Sequence, residues 1–454
     1  MADGVAFIGR FWISSHKSAP PTALILLSGV LGLNLPGQQP DYGAFEPLYR
    51  QALERREQQL GPDHPKVADS LSDLALLLKN QGQIAGAEPL LRRALSIREK
   101  AFGPGDLRVA RDLDNLASVL EARPEPQAAQ VLHRRSLAIK EKRLGQEHPE
   151  VAASLLRLAS LLQAAGDLDG AEPLYRRALA ITEKALGPDH AEVGIRANNL
   201  GLLLESRGDY DGAGRLYRRA LAITEKALGP EHPEVGSILN NLAGSLRDSE
   251  NSAEAEALLR RALRVLETAV GPDHPRVAVT LGNLAGVLKA RGSYADADPL
   301  YRRALAIQEK SLGPEDPEVA ATLTSLAEAL AAKGDLAAAE ALYRQAGAVS
   351  EKTGDPRAAA IWNSLALLLK GRGELEEAER VVRRALAVAE KTLGPDHAEV
   401  AKQSINLAWL LQRKGERAAA RALYRRALPI AEKALGPKDP LVEAIRRSLA
   451  ELEK

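Results

Sequence analysis

The chain of 454 residues carries 61 basic and 60 acidic side chains, a formal net charge of +1, and no cysteine. Near-neutrality argues against the one-signed basic face of a nucleic-acid or anionic-membrane binder, and the missing thiols exclude disulfides, thiolate metal sites and cysteine nucleophiles. Hydrophobic residues make up 45% but aromatics only 4%, with Ala and Leu dominant, which favours helix over sheet.

In chain order, residues 1–40 stand apart as a leader. Their apolar stretch, Ala23 to Leu33, comes after Arg10, His16, Lys17 and Pro20-Pro21. It is shorter than the roughly 20 residues a bilayer demands, so no stable membrane span is expected. Three readings stay open. Leu31-Gly32-Leu33-Asn34-Leu35 echoes Leu200-Gly201-Leu202-Leu203-Leu204, as a degenerate first helix would. The stretch also suits the middle of a signal or anchor, although its basic region is long and no Ala-x-Ala cleavage site comes after it. The last reading is a disordered leader. A cytoplasmic location is the expectation, with export or membrane anchoring the alternative if residues 1–40 act as a signal.

Residues 41–437 repeat. Gly61-Pro62, Gly103-Pro104, Gly187-Pro188, Gly229-Pro230, Gly271-Pro272 and Gly313-Pro314 fall on a 42-residue ruler, with Gly145 on the same grid. A period in this range marks stacked helical units sharing one core. In residues 149–190, Val151, Leu155, Leu158, Ala159 and Leu162 predict an amphipathic first helix. Gly166-Asp167 breaks it, with Asp167 able to cap the next helix. Leu168, Ala171, Leu174, Tyr175, Ala178, Leu179 and Ile181 predict that second helix, stopped at Gly187-Pro188. Asp189-His190-Ala191-Glu192 then reads as a capping box for the next unit, with Asp189 at the cap. Pro65, Pro149, Pro233 and Pro275 suit the first turn of a helix, while Pro47, Pro89, Pro173 and Pro299 fall near the start of second helices, late enough to predict kinks. The ruler shortens once, around Gly354, and residues 438–454 read as a capping helix with a polar outer face.

Leu158-Ala159, Leu162, Gly166, Leu168, Ala171, Tyr175 and Ala178 sit at the offsets of the tetratricopeptide repeat, which the chain resembles. The family's usual unit is roughly 34 residues. The extra length here, through Glu183 to His190, resembles the 42-residue repeats of kinesin light chains and their bacterial relatives. The resemblance implies an all-α, right-handed α-α superhelix of about nine to ten helix pairs. It also implies that first helices line a concave groove and second helices form the convex layer.

Three residue sets compete for function. His64, His148, His190, His232, His274 and His397 all lie in inter-repeat loops, too far apart for a shared metal, and read as packing or capping. The arginine pairs, such as Arg176-Arg177 and Arg302-Arg303, are accompanied by Glu and Asp in every unit and read as solvated salt bridges between neighbouring repeats. More informative is the residue before the recurring Leu-Ala of the first helix: Asn115, Asn199, Asn241, Asn283 and Asn406, doubled by Asn198 and Asn240. Asn is a poor helix former, and its amide both donates and accepts, so a ladder of them can grip an extended peptide. The resemblance puts this position on the groove. The bland alternative is that these amides bond neighbouring helices. Asp73, Arg157, Ser325 and Ser364 interrupt the ladder. Arg157 and Trp409 join it as groove candidates, with Lys79, Arg111, Lys289 and Arg413 one or two turns away.

Catalytic and cofactor motifs are missing: no phosphate loop, dinucleotide fingerprint, nucleophile elbow or His-Glu-x-x-His. The expectation is a non-enzymatic scaffold without cofactor or metal, binding an extended peptide or a partner's helix. A self-assembling, homo-oligomeric module is the alternative, and nucleic-acid binding through the arginines is the least favoured reading.

Overall fold

The computed structural model describes residues 45–122, 126–246 and 252–453. The leader at 1–40 lies outside the described residues. Among those described there are twenty α-helices and no strand. They fall into two units, Met1–Arg207 and Gly208–Lys454.

Unit 1 contains α1 (Glu46–Leu60), α2 (Pro65–Asn80), α3 (Ile84–Phe102), α4 (Leu107–Leu120), α5 (Pro126–Leu144), α6 (Pro149–Ala164), α7 (Leu168–Leu186) and α8 (Ala191–Ser206). Unit 2 contains α9 (Tyr210–Leu228), α10 (Pro233–Leu246), α11 (Ser252–Val270), α12 (Pro275–Ala290), α13 (Tyr294–Leu312) and α14 (Pro317–Lys333). It continues through α15 (Leu336–Thr353), α16 (Ala358–Gly371), α17 (Leu375–Leu393), α18 (Ala398–Arg413), α19 (Arg417–Leu435) and α20 (Pro440–Leu452). Even-numbered elements are first helices and odd-numbered ones second helices. Within each unit every helix packs on its neighbours in sequence, so contacts are local and the core is a continuous seam.

The seam tracks the small-large alternation of the sequence. Ala159, Ala171 and Ala178 are fully buried or nearly so where helices approach, and Leu158, Leu162 and Tyr175 fill the space they leave. The second helices hold the extra length of the repeat, with 19 residues in α7 and α9 against 16 in α6 and α8. They run without interruption through Pro89, Pro173 and Pro299. Gly187 ends α7 at φ 87° and ψ 156°, a conformation essentially closed to residues with a Cβ.

The capping-box reading needs correction. Asp189 is not the cap: α8 starts one residue later, and His190 accepts a hydrogen bond from the Glu192 backbone N–H at 3.2 Å. His64, His148, His232, His274 and His397 do the same through Nδ1 at 3.1–3.2 Å. The reason is geometric, since Nδ1 stands the same number of bonds from Cα as a carboxylate oxygen of Asp. Asp106, Asp316 and Asp439 fill the same place in other repeats. Asp167 caps α7 as expected, accepting from Gly170 N–H at 2.9 Å.

At the shortened loop, Gly354 changes to the left-handed conformation, φ 71° and ψ 22°. Asp355 accepts from the Arg357 N–H at 2.8 Å. At the C-terminal end α20 buries Val442 and Ile445 and turns its charged residues outward.

Candidate functional site

In each unit the residues before Leu-Ala lie on the first helices, half-buried except for Arg157. In unit 2 the asparagines form bonds between neighbouring first helices. Asn283 Nδ2 donates to Asn240 Oδ1 at 3.0 Å, and Asn406 Nδ2 donates to Asn363 Oδ1 at 2.7 Å. These partners are 43 residues apart, one more than the ruler, so each amide reaches the residue preceding its own counterpart. Asn363 escaped the sequence reading although it precedes Ser364 as Asn198 and Asn240 precede their asparagines. Asn198, Asn199 and Asn241 are half-buried on α8 and α10. Asn115 is half-buried on α4, where its carbonyl accepts the Ser118 hydroxyl at 2.8 Å.

Trp409 lies one turn beyond Asn406. Lys370 Nζ stands 3.7 Å from its ring centroid and the Arg413 guanidinium carbon 5.2 Å away, so cations flank the indole. A narrow recess there is bounded by Asn363, Leu367, Lys370, Asn406 and Trp409. Among the other candidates, Lys289 pairs with Glu328 at 2.5 Å and Arg111 stands 3.7 Å from Asp69.

Unit 1 holds a larger cavity, about 470 Å³, walled by Glu121 at the C-terminal end of α4, Leu156, Arg157, Ser160, Leu161 and Gln163 of α6, Tyr175 of α7, and Asn199 and Leu202 of α8. It brings together two sequence candidates, Arg157 and Asn199. The Arg157 side chain is 58% exposed, and its acidic neighbour Asp114 is 3.9 Å away. Asp114 is itself occupied: its Oδ2 accepts from Lys140 Nζ at 2.7 Å and its Oδ1 lies 3.1 Å from His133 Nδ1. Burial alone pushes the Asp114 carboxyl up, but hydrogen bonds from His133 and Lys140 outweigh it and hold the group below its ordinary value. Burial also raises the Tyr175 phenol, whose hydroxyl donates to Gln163 Oε1 at 3.0 Å.

The sequence reading missed Glu121, Ser160, Gln163 and the Asp114–His133–Lys140 cluster. One signal was present: His133 stands 42 residues before Tyr175, in a place where most repeats carry an aromatic or aliphatic side chain.

The arginine pairs are engaged in ion pairs. In most pairs the first member bonds one turn back in its own helix, as Arg176 with Glu172 at 2.7 Å and Arg302 with Asp298 at 2.5 Å, whereas Arg218 and Arg425 reach Glu254 and Glu453 beyond theirs. The second reaches the preceding second helix, as Arg177 with Glu141 and Arg261 with Glu225, both at 2.5 Å. Among the described residues no group of His, Asp or Glu is arranged to hold a metal ion, and no helix is long and apolar enough to cross a membrane.

Helix pairs of similar length, packed in sequence, define a helical-repeat protein. The tetratricopeptide repeat family matches over residues 41–100, 71–142, 150–226, 195–268, 234–310, 276–352 and 357–433, and the chain belongs to that family. A search of curated proteins finds no match. Among solved structures, one similar fold is a signal transduction ATPase with a tetratricopeptide repeat sensor from Pyrococcus horikoshii. It is 14% identical with a TM-score of 0.55, over 97% of this chain and 73% of that one. BtubC (BKLC) from P. vanneervenii is 24% identical with a TM-score of 0.45, over 51% and 92%. Kinesin light chain repeats from Podosopora anserina are 24% identical with a TM-score of 0.31, over 55% and 98%. These likenesses concern the fold alone.

Proposed function

We propose that the chain is a non-enzymatic scaffold whose units each hold an extended peptide or a partner's helix along their first helices. The observation that carries this reading is the unit 1 cavity. It is wide enough for a side chain and presents the exposed Arg157 beside Asn199, Ser160 and Gln163. Such a wall offers a cation, amides and a hydroxyl over an apolar floor of Leu156, Leu161 and Leu202, the mixture that anchors a peptide while fixing its orientation. In unit 2 the cation-flanked Trp409 supplies a second anchor of the kind that dominates binding energy at interfaces. The arginine pairs contribute little to this reading because acidic residues already engage them.

The test is partner capture by the full chain, compared with Arg157→Glu and Asn199→Ala variants whose circular dichroism matches the parent. A partner held in the groove should be lost from Arg157→Glu and weakened by Asn199→Ala. Equal capture by all three proteins would move the binding surface elsewhere. A Trp409→Ala variant reports separately on the anchor in unit 2.

A further inference from the structure

His133 occupies a place that the next repeat fills with tyrosine. There, Tyr175 donates to Gln163 at 3.0 Å, and Tyr424 repeats the pairing with Gln412 at 3.5 Å. In the α4–α5 repeat the same two places hold Glu121 and His133, with Nε2 2.7 Å from Glu121 Oε1. A neutral pair is thus exchanged for an ionisable one. The exchange falls where the imidazole is fully buried and Glu121 forms part of the cavity wall. The other ring nitrogen faces Asp114. With a carboxylate at each nitrogen, only the imidazolium donates to both, because a neutral ring has a single N–H.

Charged groups approach this cluster from three sides. Asp114 comes from α4 and Glu121 from the residue that caps its C-terminal end. Lys140 on α5 bridges Asp114 and the Ser154 hydroxyl of α6 at 2.7 and 2.9 Å. Arg157 of α6 stands 3.9 Å from Asp114.

We propose that His133 is a proton-operated latch on the unit 1 cavity: protonated, it ties Glu121 back and leaves Arg157 to set the cavity's charge; neutral, it releases Glu121 as a carboxylate in the cavity wall. Glu121 is the one released because its side chain is 37% exposed and can take water, whereas Asp114 is 8% exposed and keeps Lys140. Burial disfavours the charged ring, but hydrogen bonds to Asp114 and Glu121, with their charges, outweigh it and raise its pKa above the ordinary value. The latch is therefore closed below that raised pKa and opens as pH rises through it. An anionic peptide segment is held in the closed state and rejected in the open one. That ligand preference rests on the groove reading above, while the latch does not.

The chain has no cysteine, so Leu202→Cys on the cavity wall accepts one solvent-sensitive fluorophore in the full-length protein. Its emission should shift in a single transition with a midpoint above the ordinary histidine range. The double variant His133→Tyr/Glu121→Gln installs the neutral pair of the next repeat, which is compatible with the fold, and should abolish that transition. An unchanged transition in the double variant overturns the latch. So does a flat curve for the parent wherever its circular dichroism is constant. Fluorescein-labelled octaglutamate is the second probe. Its affinity for the parent should fall several-fold across the same midpoint and stay level for the double variant. If octaglutamate binds neither protein at any pH, the anionic-ligand preference is lost and the fluorophore titration still decides the latch.

Discussion

At the scale of single residues, the repeat keeps a geometry and exchanges the chemistry that satisfies it. Each first helix must find an acceptor for an N–H in its opening turn, and either an imidazole or a carboxylate serves. His397 illustrates this, accepting from Glu399 N–H at 3.2 Å where Asp316 accepts from Glu318 N–H at 2.8 Å. Replacing His397 with Ala removes the acceptor and should destabilise the chain by about 1 kcal/mol, while His397→Asp should stay close to the parent. Urea unfolding monitored by circular dichroism distinguishes the two, and equal losses for both variants would assign the histidine a packing role instead. The same reasoning separates the asparagines. Asn283 and Asn406 already donate to amides on the preceding first helix. In unit 2 the ladder therefore bonds neighbouring helices first, and any ligand meets amides with their positions already fixed.

At the scale of elements, the shortened loop at Gly354 comes with a repacked contact between α15 and α16. Where Leu305 and Leu386 stand in other second helices, α15 has Gly347, and where Leu281 and Leu323 stand in first helices, α16 has Trp362. A Cβ built at Gly347 would fall 2.7 Å from the Trp362 ring, so the missing side chain makes room for the indole. The indole N–H donates to Glu351 at 3.1 Å, and the Arg384 guanidinium lies 4.1 Å above the ring. Trp362→Leu should cost about 2–4 kcal/mol through the cavity it leaves. Gly347→Leu should also destabilise by overpacking. Combining them should recover much of the loss, a coupling that denaturant midpoints of the three variants measure directly. Additive losses would mean that the two positions do not share one space. The helix borders were legible in the sequence because Gly-Pro pairs and apolar periodicity act locally. The candidate site was legible only in part. Arg157 and Asn199 stood out by position, but the one-residue offset between neighbouring first helices decides which amides meet. Asn363 was hidden by that offset. Glu121 and His133 were hidden because their pairing crosses two helices, and each alone looks like an ordinary substitution.

At the scale of the whole molecule, charge is distributed unevenly in the interior. Among the described residues, Arg98, Asp112, Asp114, His133 and Lys140 are buried in unit 1, whereas unit 2 buries Asp355 beside a large core cluster of Leu, Ala, Val, Ile, Tyr and Trp. Arg98 pairs with both Asp69 and Asp112, and burial still raises the Asp112 carboxyl. The raised pKa of His133 makes its stabilising contribution complete below the unfolded value and lost as pH rises through the folded one. Hydrogen exchange, corrected for intrinsic rates, should therefore show α4–α6 opening more readily as pH passes above the ordinary histidine range. Amides of α16–α18 should keep their opening free energies, and a parallel change in both units would remove His133 as its cause. The Gly347–Trp362 contact carries a consequence for heredity. Near-identical tandem segments of a gene recombine unequally, adding or deleting one repeat at a time. Most such events here would rejoin leucine to leucine and leave a working stack. A crossover between Gly347 and Trp362 would instead set a tryptophan against a leucine, or leave a glycine facing a void. The two residues are inherited safely only together, so this junction fixes a point in an otherwise interchangeable series.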